Sequence, residues 1–230
     1  PSLSEKGGFF MSMFLVYDAE NYEYILQPAG YVVLVVILIA LLLAAAALGK
    51  KKKAEGAVPA KKLTFCAMAI ALATVTSFIK FADLPMGGSI TLFSMLFVSL
   101  IGYFYGAKTG LTTGLAYGVL QLITGPYIYA PAQVLLDYPL AFGALGLSGF
   151  FKNKKHGLSI GYTVGVLGRY ICHVISGYIF FGAYAPEGMD PMIYTLGYNL
   201  TYILPEMVAT LIIINIPAVS RAIAQVKSQA

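Results

Sequence analysis

Long apolar runs separated by short polar stretches restrict what this chain can fold into more than any other feature. The run at 31–49 holds 19 residues without a charge, which is about enough to cross a bilayer as a helix. Six more runs follow, at about 63–80, 90–106, 109–124, 131–151, 157–182 and 191–219. Only 11% of the residues are charged, against about 25% in soluble domains. The sequence therefore predicts an all-α integral membrane protein that crosses the lipid bilayer seven times.

The basic residues predict how the chain is oriented, because lysine and arginine collect on the cytoplasmic side of membrane proteins. With the linker at 50–62 placed inside, that side holds 12 of the 15 basic residues, namely Lys50 to Lys53, Lys61, Lys62, Lys108, Lys152, Lys154, Lys155, Arg221 and Lys227. The N-terminus is then outside and the C-terminus is cytoplasmic. Because orientation accounts for the net charge of +5, we expect no nucleic-acid partner.

The same patterns divide the chain into five segments. They are an extracellular N-terminal segment, an extra transmembrane helix, a basic cytoplasmic linker, a six-helix membrane domain and a cytoplasmic tail, at residues 1–30, 31–49, 50–62, 63–222 and 223–230. The second and third spans of the domain are short for a bilayer, so we expect them to pack inside the protein. Glycines at every fourth position from 106 to 118 favour close helix packing there.

Polar residues inside the apolar runs are the candidates for function. Asp137, His173 and Asn199 lie six, nine and eight residues below the outer ends of their spans. At about 1.5 Å per residue, these positions correspond to depths of about 9, 13 and 12 Å. The loops above them are rich in tyrosine and phenylalanine. This pattern predicts a pocket open to the outside with aromatic walls and one carboxylate, and a hydrogen-bonded helix contact without a ligand is the alternative.

Arg169 and Glu206 lie deeper in the membrane. They are 13 and 15 residues below the outer ends of consecutive spans, so both lie at about 20 Å. Opposite charges at one depth predict an ion pair, because an unpaired charge is costly in a bilayer. We expect this pair to be structural rather than part of a proton or ion path, since transport relays usually contain more carboxylates.

Sequence motifs of enzymes and metal sites are absent. The chain has no P-loop, no GxSxG and no HExxH, and its two cysteines, Cys66 and Cys172, lack metal-ligand spacing. We therefore expect no metal, no cofactor, no catalytic residue and no ATP hydrolysis by this chain. A membrane enzyme that uses Asp137 and His173 as an acid–base pair is the alternative from another functional class.

Several segments, in one order, resemble the thiamine-specific S-component, the substrate-binding subunit of energy-coupling-factor transporters. The resemblance covers about residues 62–222 and includes PMGGSITLFSM (85–95), GLTTGLAYGVLQ (110–121), YIYAPAQVLLDYPLAFGALGLSGFF (127–151), RYICHVISGYIFFGAYAPEGM (169–189) and YNLTYILPE (198–206). It implies a six-helix bundle in a prokaryotic cell membrane that binds thiamine from outside. It also implies docking on a transmembrane coupling subunit driven by two ATPase subunits. The span at 31–49 lies outside the resemblance.

Carried over by position, the resemblance assigns ligand binding to a set of residues in the membrane domain. They are Tyr127, Asp137, Tyr138, His173, Tyr194 and Asn199, with Phe181 where the family often has tryptophan. The cationic thiazolium of thiamine suits a carboxylate and aromatic faces. The aminopyrimidine suits Asn199, whose side chain both donates and accepts hydrogen bonds. Because the chain contains no tryptophan, a related pyrimidine or another vitamin is the alternative ligand.

The resemblance further implies that small residues of the first span of the domain contact the coupling subunit. These residues are Ala67 and Ala71, together with the offset pair Ala69 and Ala73. Small side chains allow two membrane helices to approach closely. Internal packing of the same alanines is the alternative.

Overall fold

The computed structural model describes residues 13–18, 23–33, 36 and 59–230. In the last of these ranges the chain forms α1 Ala60–Ser77, α2 Ser94–Tyr105, α3 Ala107–Thr124, α4 Pro131–Phe151, α5 Gly157–Ser176, α6 Pro191–Asn215 and α7 Pro217–Gln229. Two antiparallel hairpins accompany them, made by β1 Leu15–Asp18 with β2 Glu23–Leu26 and by β3 Lys80–Asp83 with β4 Ser89–Thr91. The predicted helical membrane architecture is confirmed, since α1, α4, α6 and the segment Gly157–Tyr184 are long and apolar enough to cross a membrane.

Helices α1 to α6 correspond to the six spans predicted for the membrane domain, with some different ends. The predicted linker at 50–62 overlaps α1, which begins at Ala60. The last span ends at Asn215, because Pro217 lacks a backbone N–H and begins α7. The tail predicted from residue 223 is therefore part of a helix. As expected, α2 is short, with 12 residues, whereas α3 has 18 residues and is as long as α1, so the expectation of a short third span is wrong.

Part of the predicted N-terminal architecture lies outside the described residues. This applies to most of the extra transmembrane helix at 31–49 and to most of the linker at 50–62. Within the predicted extracellular segment, the described residues include the β1–β2 hairpin, in which Leu15 pairs with Leu26 and Asp18 with Glu23. This hairpin was not predicted from the sequence.

Glycines bring α3 into close contact with α4 at the centre of the domain. A Cβ atom at Gly110 would lie 2.8 Å from the Cα of Gly146, and one at Gly114 would lie 2.9 Å from the Cα of Gly143. Only glycine leaves room for such an approach, so the predicted packing role is confirmed for Gly110 and Gly114. It is wrong for Gly106, where a Cβ would come no closer than 3.6 Å to another described residue and a φ of 94° favours glycine instead. The largest fully buried side chains of the described residues include Tyr117, Tyr162, Met95, Ile101 and Leu145, and all of these except Ile101 belong to one hydrophobic core cluster.

Two helices change their geometry where predicted site residues lie. A π-helical turn at Leu136–Leu140 interrupts α4 and contains Asp137. Pro139 lies inside this turn, and its missing N–H breaks the α-helical hydrogen-bond pattern. A second π-helical turn at Gly177–Phe181 follows α5 and carries Phe181. Such turns occur frequently at functional sites.

The four alanines of α1 point in two directions. Ala67 and Ala71 are exposed, whereas Ala69 and Ala73 are 7% and 0% exposed. The hydroxyl of Tyr117 donates a hydrogen bond to the carbonyl of Ala73 at 3.2 Å. Residues two apart are about 200° apart around a helix. The prediction of one partner-facing surface is therefore wrong for Ala69 and Ala73, which pack inside the domain.

Candidate functional site

A cavity of about 220 Å³ lies among α3 to α6 and the segment that joins α1 to α2. All seven residues predicted to bind ligand line it, namely Tyr127, Asp137, Tyr138, His173, Phe181, Tyr194 and Asn199. Among the cavity-lining residues, all of which belong to the described part of the chain, Asp137 is the only carboxylate. The fold thus brings together residues from three separate helical segments and one loop. Their contact with a ligand stays a prediction.

Asp137 is linked to Arg169 through His173. Oδ1 of Asp137 lies 2.9 Å from Nδ1 of His173, and Nε2 of the same ring accepts a hydrogen bond from Arg169 Nε at 3.2 Å. This arrangement places the ring hydrogen on Nδ1 and leaves the imidazole neutral. The guanidinium also lies 4.3 Å from the ring centre of Phe142, a favourable cation–π contact. A negative and a positive group therefore flank one neutral ring at the cavity wall.

Gln133 and Ser176 supply the other hydrogen bonds of Asp137. Both donate to Oδ2, Gln133 from its amide nitrogen at 2.8 Å and Ser176 from its hydroxyl at 2.9 Å. Neither residue was predicted from the sequence. Helical spacing is the signal that identifies them, since Gln133 precedes Asp137 by four residues and Ser176 follows His173 by three.

The loop before α4 is held in place by side chains of that helix. The hydroxyl of Tyr138 accepts a hydrogen bond from the backbone N–H of Tyr127 at 2.6 Å. The side chain of Gln133 accepts from the N–H of Tyr129 at 3.0 Å and donates to the carbonyl of Tyr127 at 3.2 Å. Tyr138 therefore contributes to the site by positioning Tyr127 as well as by lining the cavity.

Two groups of aromatic rings border the cavity. In the first, the ring centres of Tyr127 and Phe181 are 5.8 Å apart. In the second, Tyr194, Tyr198 and Tyr202 follow one face of α6 at intervals of four residues, with successive ring centres 6.1 and 5.8 Å apart. Tyr198 and Tyr202 were not predicted, although their spacing from Tyr194 indicates them. Such rings present π faces to a cation or to a flat heterocycle.

The amide of Asn199 is largely engaged within the protein. Its nitrogen donates to the carbonyl oxygens of Thr195 at 2.9 Å and His173 at 3.4 Å. Its oxygen accepts from the hydroxyl of Tyr202 at 2.6 Å and has a second lone pair. In this arrangement Asn199 offers a ligand an acceptor, rather than the donor and acceptor assigned from the sequence.

Glu206 binds the start of α2 from the neighbouring helix α6. Its carboxylate accepts from the N–H and hydroxyl of Thr91 at 3.3 and 2.7 Å. It also accepts from the hydroxyl of Ser94 at 3.4 Å and the N–H of Met95 at 3.2 Å. The first N–H groups of a helix lack intrahelical partners and favour negative charge. Glu206, which is 4% exposed, therefore acts as the N-terminal cap of α2.

The predicted ion pair between Arg169 and Glu206 is not formed. Among the described residues, the ion pair between permanently charged side chains within 4.0 Å is Lys80 with Asp83, and the neutral ring of His173 contacts Asp137. Arg169 contacts a histidine on its own helix, and Glu206 contacts a helix N-terminus. The prediction was wrong because equal depth does not determine which way two side chains point around their helices.

Comparisons with known proteins agree with this architecture. The family model described as Thiamine transporter protein (Thia_YuaJ) matches residues 63–225. The thiamine transporter ThiT of Bacillus subtilis is 38% identical over 148 residues, which cover 58% of this chain and 77% of that protein. ThiT of Lacticaseibacillus paracasei is 32% identical over 120 residues, covering 45% of this chain and 60% of that protein.

A solved structure of ThiT from Listeria monocytogenes extends the comparison to the fold. It superposes with a TM-score of 0.57 at 27% sequence identity, covering 68% of this chain and 94% of that one. The family match spans most of the helical domain, and the cavity with its predicted site residues lies inside the matched region. This chain therefore belongs to the thiamine transporter protein family.

Proposed function

We propose that this chain is the substrate-binding subunit of a thiamine importer. The observation that carries the proposal is the cavity in which seven predicted residues converge, with one carboxylate and two groups of aromatic rings. Thiamine combines a cationic ring with a flat aminopyrimidine, and both suit such surfaces. The relatives are named as transporters, which supports a role in transport rather than in catalysis.

The hydrogen bonds at the cavity wall suggest how the site distinguishes the aminopyrimidine ring of thiamine from its thiazolium ring. Asp137 accepts three hydrogen bonds, and a carboxylate has about four lone-pair sites, so one site is left for a donor of the ligand. Asn199 offers a further acceptor. We assign the amino group of the aminopyrimidine to these acceptors. The thiazolium then lies against tyrosine and phenylalanine faces, where its charge is stabilised.

Ligand recovery from the purified protein tests this proposal. We expect mass spectrometry of protein purified without added ligand to detect thiamine, and calorimetry on protein freed of ligand to show one saturable binding event. Recovery of a different compound would assign the cavity to a related pyrimidine or another vitamin. Conversion of thiamine by the purified chain would support the enzyme hypothesis, with Asp137 and His173 as the acid–base pair.

We propose that the cavity opens to the outside of a prokaryotic cell membrane. Lys152, which follows α4, and Lys227 of α7 meet at an end of the domain whose residues do not line the cavity. Lys227 donates to the carbonyl of Lys152 at 2.6 Å, and its ammonium lies 3.6 Å from the ring centre of Tyr103. By the positive-inside rule this end is cytoplasmic. The C-terminus is then inside, and the predicted extra span places the N-terminus outside.

We propose a transmembrane coupling subunit and two ATPase subunits as partners, since the chain has no nucleotide-binding motif of its own. The contact surface that we assign to the coupling subunit is the exposed side of α1 with Ala67 and Ala71. These small residues lie among the exposed apolar side chains of Leu63, Met68 and Val75. An apolar strip with a shallow centre allows another membrane helix to approach closely.

Ala67→Phe should separate uptake from binding. The ring prevents close helix approach, so we expect thiamine uptake by cells to fall by about ten-fold or more while the dissociation constant of the isolated subunit is unchanged. Gly197→Phe is the matched control, because a Cβ on this residue of α6 meets no other described residue within 4 Å. We expect this variant to transport normally. Equal losses of binding and uptake in Ala67→Phe would instead show that α1 packs internally at this position.

A further inference from the structure

The segment between α1 and α2 forms a hairpin that lines the cavity with its turn. In this lid hairpin, residues 80–91, strand β3 pairs with β4 from Lys80–Thr91 to Asp83–Ser89. The turn residues Met86, Gly87 and Gly88 line the cavity. A ligand that enters or leaves past this turn requires the turn to move. The contacts that hold the turn in place therefore bear on ligand exchange.

The turn has a backbone conformation that needs support. Met86 has φ 60° and Gly87 has φ 83°, and a left-handed conformation is uncommon for a residue other than glycine. A hydrogen bond from the N–H of Leu84 to the carbonyl of Gly88, at 2.7 Å, closes the turn. Without further contacts, the strained residue favours rearrangement of the turn.

Tyr198 of α6 supplies the support from outside the hairpin. Its hydroxyl donates a hydrogen bond to the carbonyl of Pro85 and accepts one from the N–H of Gly88 at 3.3 Å. One side chain thus bonds both ends of the turn. Tyr194 adds a weaker contact from its hydroxyl to the sulfur of Met86 at 3.7 Å.

The base of the hairpin is held more strongly than its turn. At the base, the charged group of Glu206 binds both the backbone and the side chain of Thr91. Hydrogen bonds to a charged group are about twice as strong as neutral ones. The hydrogen bonds that α6 makes to the turn involve the neutral hydroxyls of Tyr198 and Tyr194. Opening is therefore expected to begin at the turn and to leave the base attached to α6.

We propose that Tyr198 is a positioning residue that keeps the lid hairpin over the cavity and thereby sets the rate at which ligand enters and leaves. The role in ligand exchange rests on the proposed function. The closing contacts themselves are made between protein groups and can be tested without a ligand.

Hydrogen exchange without ligand is the first test, on full-length protein in detergent. Tyr198→Phe retains the ring and removes the hydroxyl, so we expect amide exchange in residues 84–88 to accelerate by about three- to ten-fold, the loss that one or two hydrogen bonds predict. Tyr170→Phe is the matched control. Tyr170 lies on α5, and its hydroxyl donates at 3.1 Å to the carbonyl of Leu196 on α6, so the variant also removes one tyrosine hydroxyl but leaves the turn untouched. Unchanged exchange in Tyr198→Phe, or equal acceleration in both variants, would overturn the proposal.

Binding kinetics are the second test, with thiamine as the probe. We expect the association and dissociation rates of Tyr198→Phe to rise together by about three- to ten-fold, so that the dissociation constant changes less than either rate. Unchanged rates in a variant whose turn exchanges faster would overturn the role in ligand exchange. Failure of the unmodified protein to bind thiamine would overturn the proposed function, while faster exchange at the turn would still support Tyr198 as the closing contact.

Discussion

Asp137→Asn is expected to weaken thiamine binding by about 10- to 100-fold, because a hydrogen bond to a charged group contributes about 1.5–3 kcal/mol. Both oxygens of Asp137 accept hydrogen bonds, one from His173 and the other from Gln133 and Ser176. Asparagine keeps the shape but replaces one oxygen with a donor. The new amide nitrogen then faces a donor, either the ring N–H of His173 or the donors of Gln133 and Ser176. The variant also removes the charge that holds the ring of His173 between Asp137 and Arg169.

Calorimetry on the folded variant measures this effect, and a carboxylate outside the cavity provides the control. Asp190 caps α6 by accepting from the N–H groups of Met192 at 2.8 Å and Ile193 at 3.2 Å. Asparagine caps helices about as well as aspartate, so Asp190→Asn is expected to bind thiamine normally. Unchanged affinity in Asp137→Asn, with a normal thermal unfolding profile, would contradict the assignment of Asp137 to the binding site.

Glu206→Leu is expected to lower the free energy of unfolding by about 3 kcal/mol or more, because each buried polar group left without a partner costs about 1–3 kcal/mol. The variant leaves the N–H groups of Thr91 and Met95 without their acceptor, and the hydroxyl of Thr91 keeps only its contact with Ser94 Oγ at 2.7 Å. It also removes the negative charge at the N-terminus of α2. Denaturant unfolding in detergent, monitored by the loss of helicity, measures the difference in the free energy of unfolding between the variant and the unmodified protein.

Arg169→Met tests whether Glu206 stabilises the protein by capping α2 or by forming an ion pair with Arg169. Within the described part of the chain, Arg169 and Glu206 share no hydrogen-bond partner, so the losses of the two single variants are expected to add in the double variant. We expect Arg169→Met to weaken thiamine binding, because it removes the donor to His173. If the double variant loses clearly less free energy of unfolding than the two single variants lose together, the two charges are coupled.

The sequence indicates how far along its helix each polar residue lies, and this was sufficient to predict that the residues at the centre of the site lie near one another. The apolar runs set the helix ends, and the constant rise of a helix then places each polar residue at a depth. Asp137 and His173 were predicted at similar depths, and their side chains are 2.9 Å apart. Asn199, also at that depth, bonds to the backbone of His173. The motifs that resemble the thiamine transporters indicated the family, which the matched domain confirmed.

Rotation around each helix axis was decided by the tertiary structure. Arg169 and Glu206 share a depth but point to different neighbours, a histidine one turn along α5 and the N-terminus of α2. The direction of the alanines follows partly from helical geometry, since Ala67 and Ala69 are about 200° apart. Which of the two directions is internal depends on the position of α3, whose Tyr117 covers Ala73.

The sequence by itself determined a helical membrane domain, seven of its cavity-lining residues and its family, because length, polarity and motif order are properties of the chain alone. Only the tertiary structure decided the partners of each polar group. Tyr198 shows the physical reason: its hydroxyl bonds the turn at Pro85 and Gly88, more than 100 residues earlier in the chain. Hydrogen bonds require contact within about 3.5 Å, and contact between distant segments is set by packing rather than by spacing along the chain.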